Sequence, residues 1–236
     1  MTDTTTLMRR LSKAKTSLIL ESPFIGTIAL NMPFLLSDEV PTAATNGKRV
    51  VFNPDFIADM PDEELKFLVA HEVFHPMMEH NFRRGERNPR KWNRACDYVI
   101  NLIINDRYMS DRFVKLPDGG CLDEQYRGMD AGEVYRLLVQ KYGSDAGAQQ
   151  QLGQQGFDDH DWSNAAGMSQ EEVDELAREV DQALRQGNIL ASKAGANVDR
   201  SIADMLEPKV DWRDALREFV SNSKPGDDYT TFRRID

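Results

Sequence analysis

Residues 69–80 read VAHEVFHPMMEH. His71 and His75 are four apart, so on an α-helix they lie about 40° apart round the axis and project from one face at a spacing that a single Zn2+ bridges. Glu72 lies about 100° from His71, beside that metal position, where a carboxylate can take a proton from a zinc-bound water. The surrounding residues decide how far this pattern counts. Leu65, Phe67, Leu68, Val69, Ala70, Val73, Phe74, Met77 and Met78 go nearly all the way round, which predicts a largely buried helix. It starts at Pro61-Asp62-Glu63-Glu64, with proline in the first turn and acids that complement the helix dipole. Two imidazoles and a carboxylate inside such a helix cost roughly several kcal/mol unless they are paired or bind metal. Pro76 removes the amide that would bond the carbonyl of Glu72 and biases His75 away from helical angles, so a kink is expected at the second histidine.

A hydrolytic site needs a third protein ligand and one open position. The next helix, from about Pro89 to Tyr108, supplies a candidate. Asn93, Asp97, Asn101 and Asn105 recur every four residues and draw one polar stripe down an otherwise apolar helix carrying Trp92, Cys96, Val99, Ile100, Ile103 and Ile104. Two antiparallel helices joined by a loop would bring Asp97 opposite the histidines. His80 is nearer in sequence, but on a continued helix it points about 180° from His71, since each residue turns about 100°. His160, in FDDHDW, could close the site from the far side. Cys96 lies off the face of Asp97 and reads as core.

Outward from this pair, a first helix is expected from about Thr4 to Glu21. The β-branched and aromatic content of the stretch after it, with the Asn46-Gly47 turn and the strand RVVFNP, predicts a small antiparallel sheet over residues 24–53. DAGEVYRLLVQKYG reads as a short helix closed by Gly143. The Gly/Gln-rich stretch 144–156 reads as a loop or linker. Beyond it, residues 157–236 carry a charged helix, SQEEVDELAREVDQALRQG, opened by a capping box at Ser169 and Glu172, and two further helices near 198–207 and 211–221. The organisation is thus a core over 1–143, the loop, and a helical part packing on the core. The class is α+β.

The 236 residues are 40% hydrophobic and 29% charged, a globular composition. A net charge of -10 argues against nucleic acid as a partner. The cationic run from Arg83 to Arg94 reads as a solvated loop, with a lesser role in steering acidic partners. Polar residues and prolines interrupt the apolar stretch near the N-terminus, so neither a signal peptide nor a membrane span is expected. Cys96 and Cys121, the two cysteines, fit a reducing compartment, and the cytoplasm is the expected location.

Several blocks together give a more specific signal than HEVFH alone: RVVFNPDFI, LVAHEVFHPMMEHNFRRG, KWNRACDYVIN, LPDGG, YRGMDAGEVYRLL, FDDHDW and VDWRDALREFV. In order and spacing they resemble a family of predicted bacterial metallopeptidases that usually precede a von Willebrand factor A-like domain and are associated with MoxR-type AAA+ ATPases. The resemblance covers nearly the whole chain. It implies a zincin-like fold, with a small mixed or antiparallel sheet whose edge strand lies over the active-site helix. It further implies His71 and His75 as zinc ligands, Asp97 as the third and Glu72 as the general base. The ending DDYTTFRRID resembles the junction into the A-like domain. One departure is Pro76, where the family has an aliphatic residue.

Two functions follow as expectations. The first is a zinc-dependent peptidase that hydrolyses peptide bonds in a peptide or protein substrate laid along Arg49 to Asn53. The second is a non-catalytic adaptor of the same fold, working with an AAA+ ATPase or an A-like domain.

Overall fold

The structure is a computed structural model that describes residues 3–108, 113–143 and 170–193. Its elements are α1 (Thr4–Glu21), α2 (Pro23–Asn31), β1 (Phe34–Leu36), β2 (Ala43–Thr45), β3 (Val50–Phe52), α3 (Pro54–Ala58), α4 (Asp62–Met77), α5 (His80–Arg83), α6 (Pro89–Tyr108), α7 (Ala131–Tyr142) and α8 (Gln170–Lys193). All fall in one unit spanning Met1–Val198. The expected α+β class holds, in a chain that is mostly helical with one three-stranded mixed sheet. No described helix is long and apolar enough to cross a membrane. The helices expected near 198–207 and 211–221 and the stretch 144–156 lie outside the described residues.

α1 buries Leu7, Leu11, Ala14 and Leu18, the i, i+4, i+7, i+11 stripe of an amphipathic helix. Arg10 ties it to the entry of α4. Its guanidinium donates to the carbonyls of Ile57 and Ala58 at the end of α3, where orphan acceptors are exposed, and to Asp62.

The strand-like reading of the stretch after α1 is corrected at its first half, because Pro23–Asn31 is a helix. Its β-branched residues misled, since a short continuous apolar run reads equally as a buried strand or a buried helix. Pro23 in the first turn favours the helix, and Phe24, Ile25, Ile28 and Ala29 are all buried. Gly26 lets α1 and α2 touch: a Cβ there would stand 2.4 Å from the Cα of Ile19. Gly187 does the same for α8, where a Cβ would meet the carbonyl oxygen of Phe24 at 2.9 Å. Gly187 therefore does not end the charged helix, which runs on to Lys193 with Ala183 and Leu184 buried.

The sheet is mixed, with order β1-β3-β2. β2 and β3 form the hairpin expected at Asn46-Gly47, where the Asn46 side chain accepts from the amides of Lys48 and Arg49. β1 pairs parallel to β3 on the other side. β3 is thus central, with both hydrogen-bonding edges occupied, and Arg49 to Asn53 cannot take a substrate as an added strand. The edge strand that packs on α4 is β2.

α4 and α6 have the expected starts, Asp62 and Pro89. They run antiparallel: His80 meets Trp92 while His71 meets Asn101. α7 ends at Gly143, as expected, and opens with a capping box between Asp130 and Glu133 that was not read from the sequence. The cationic stretch is less solvated than its composition implies. Lys91 is buried, with its ammonium on the carbonyl of Gly143 at the end of α7, and Arg87 lies over the ring of Trp92 at 4.8 Å.

Candidate metal centre

The centre is built where the third turn of α4 faces the middle of α6. All of its chemistry-bearing side chains are withdrawn from solvent: His71 is 5% exposed, Glu72 and His75 0%, and Asp97 2%. His71 Nε2 and His75 Nε2 lie 3.1 Å apart, and Asp97 Oδ1 stands 3.6 Å from each. Among the described residues these three form the group whose ligand atoms converge closely enough to hold one metal ion.

The triangle tests well against a metal. With zinc–nitrogen bonds near 2.0–2.1 Å, two ligand atoms of a tetrahedral site stand about 3.3 Å apart. The edges of 3.1, 3.6 and 3.6 Å bracket that value. The donor set also fits, since two imidazoles and a carboxylate suit a divalent ion of zinc's type. Burial of Glu72 and Asp97 together points the same way, because a divalent cation offsets carboxylate charge that the interior otherwise disfavours.

The hydrogen bonds around the triangle set the ring orientations. His71 Nδ1 lies 2.7 Å from Asn101 Oδ1, and Asn101 Nδ2 donates to the carbonyl of Cys121 at 2.8 Å. The second bond turns the amide oxygen toward His71, so His71 Nδ1–H is the donor of that pair and Nε2 is the ring nitrogen that faces Asp97. The ring of His71 stacks on Phe67 at 6.5 Å. Asn93 Nδ2 approaches the other carboxylate oxygen of Asp97 at 3.4 Å.

Pro76 does not end the helix at His75. α4 continues through Pro76 and ends at Met77, where the amides of Met78 and Glu79 bond the carbonyls of Phe74 and Pro76. A proline in the last turn costs one bond rather than a run of them. The break falls at Glu79, which is left-handed at φ 55 and ψ 29. That residue turns the chain into α5 and folds His80 back toward α4.

The candidates for the third ligand therefore separate. Asp97 is in the triangle. His80 is fully buried but meets His75 at Nδ1, 3.3 Å from its own Nδ1, on the edge of the ring away from the triangle. The angle of about 180° from His71 on a continued helix does not apply, because the chain turns at Glu79. His160 lies outside the described residues. The supporting roles of Asn101 and of the Cys121 carbonyl were not read from the sequence, although Asn101 stood in the polar stripe one turn after Asp97.

Residues 6–234 match the family described as "Putative metallopeptidase domain". The chain belongs to that family. It is also similar to an uncharacterized protein of Thermotoga maritima, at 25% identity over 94% of this chain and 61% of that protein. The chain thus spans about three fifths of the length of the curated relative it matches. No solved structure matches it. Among the described residues, the triangle of His71, His75 and Asp97 is a group that could hold a metal ion.

Proposed function

We propose that the chain is a zinc-dependent peptidase of zincin type, with His71, His75 and Asp97 as ligands and Glu72 as general base. The observation that carries this reading is the convergence within 4.8 Å of three ligand atoms, two from α4, which also holds Glu72, and one from α6. Zinc held there supplies Lewis acidity toward a water and the scissile carbonyl. Glu72 takes the proton from the attacking water and passes it to the nitrogen of the leaving amine, so one carboxylate serves both steps. Its burial keeps that carboxylate away from bulk water, where proton transfer is unselective. β2, the edge strand packed on α4, is the natural place for an extended substrate to add as a strand.

The test is a proteolysis assay on the zinc-reconstituted chain with unfolded protein and peptide substrates, run beside Glu72→Gln. A general base contributes about 10²- to 10⁴-fold, so Glu72→Gln should lose at least that lower factor while keeping its metal. Full activity in Glu72→Gln with zinc bound contradicts the assigned mechanism.

One observation favours a second reading, the adaptor of the same fold. The ligand rings and Glu72 are 0–5% exposed, and a closed site is the habit of structural rather than catalytic zinc. On that reading the centre pins α4 to α6 in a module working with an AAA+ ATPase or an A-like domain. Metal would then raise stability, and no substrate would be cleaved.

A further inference from the structure

The turn at Glu79 brings a fourth polar group to the centre, and its position suggests what it does. We infer that His80 is a positioning residue that holds His75 in the tautomer able to bind metal; the inference rests on the metal-centre reading above. His80 is fully buried, its ring lying between those of His75, 5.3 Å away, and Trp92, 6.1 Å away. Its main-chain carbonyl accepts from Trp92 Nε1 at 2.8 Å, which anchors the backbone independently of the ring.

The two facing atoms are His75 Nδ1 and His80 Nδ1, 3.3 Å apart. Two neutral imidazoles meeting in this way need one donor and one acceptor. For His75 Nε2 to turn a lone pair toward the triangle, the ring hydrogen must sit on Nδ1. His75 Nδ1–H then donates to His80 Nδ1, and His80 carries its own hydrogen on Nε2. His80 thus does for His75 what Asn101 does for His71. A continued helix would place His80 about 140° round from His75, since each residue turns about 100°. The left-handed Glu79 is what makes the contact possible.

The experiment measures zinc affinity of the full chain by competition with a chromogenic chelator, for wild type, His80→Leu and His80→Asn, with melting of the metal-free proteins followed alongside. Asn keeps an acceptor at the place of Nδ1, and Leu does not. The expected result is a loss of about 10- to 100-fold in His80→Leu, as for other partners of ligand histidines, with most of it restored in His80→Asn. Equal affinity in wild type and His80→Leu, or equal loss in both variants, overturns the role of His80 and leaves the metal centre standing. A wild-type chain that takes up no zinc overturns both. If His80→Leu fails to fold, long-range ¹H–¹⁵N correlation on the zinc-loaded wild type decides. Hydrogen on His75 Nδ1 and His80 Nε2 supports the inference, and hydrogen on His80 Nδ1 overturns it.

Discussion

Asn101 Oδ1 lies 2.7 Å from His71 Nδ1, and the same amide is locked by its bond to the carbonyl of Cys121. The orientation of a candidate ligand is therefore set by the loop that follows α6, through one side chain. Asn101→Leu should weaken zinc binding by about 10- to 100-fold, the usual effect of removing such a partner, whereas Asn101→Asp should retain most of the affinity. Chelator competition on the two variants checks this.

Glu79 holds a left-handed conformation at the join between α4 and α5. That region costs an L-residue roughly 1–2 kcal/mol and suits glycine. Glu79→Gly should hold or raise stability in urea denaturation. Glu79→Val, β-branched at a positive φ, should lower it by about 1–2 kcal/mol or more and weaken zinc binding as well, because His80 is displaced.

Gly26 sits where a Cβ would come within 2.6 Å of three atoms of Ile19, two of them backbone. Backbone cannot step aside as a side chain can. Gly26→Ala should therefore cost at or beyond the upper end of the ~1–3 kcal/mol seen for overpacking. Its effect on zinc affinity in the folded fraction should be small, since the contact lies between α1 and α2.

Lys15 is half-buried, with its ammonium on the carbonyl of Met32 and 3.6 Å from the ring of Phe34. Burial pushes its pKa down to about 8. Between that value and the ordinary lysine value near 10.5 the unfolded chain holds more protons than the folded one, so this group makes stability rise with pH. Tyr98, pushed up to about 12 by burial, acts in the opposite sense above about pH 10. Denaturation at a series of pH values should show a rise from pH 8 to about 10 that is lost in Lys15→Met.

The helices of the centre were legible because their signals are local and agree. Acids and a proline start α4, apolar residues go all round it, and a four-residue polar period marks α6. The placement of Asp97 opposite the two histidines followed from that period and an antiparallel pairing. What was not legible depended on neighbours distant in the chain. Phe24 to Ala29 are strand-like in composition but helical because α1, α4 and α8 enclose them. The centrality of β3 depends on β1 crossing to pair in parallel, which no residue of β3 announces. Gly187 reads as a stop and is a contact with Phe24. Helical angles point His80 away from His71, and the left-handed Glu79 is what brings it against His75 instead.

Metal uptake is the direct readout of the centre formed by His71, His75 and Asp97. Elemental mass spectrometry of the purified full chain, equilibrated with zinc and freed of excess, measures this directly for wild type beside Asp97→Ala. The expected result is one zinc per wild-type chain and a large loss of bound zinc in an Asp97→Ala protein that is still folded by circular dichroism. A folded wild-type chain without zinc, or an Asp97→Ala chain that retains it in full, would mean that these three residues do not form a zinc site.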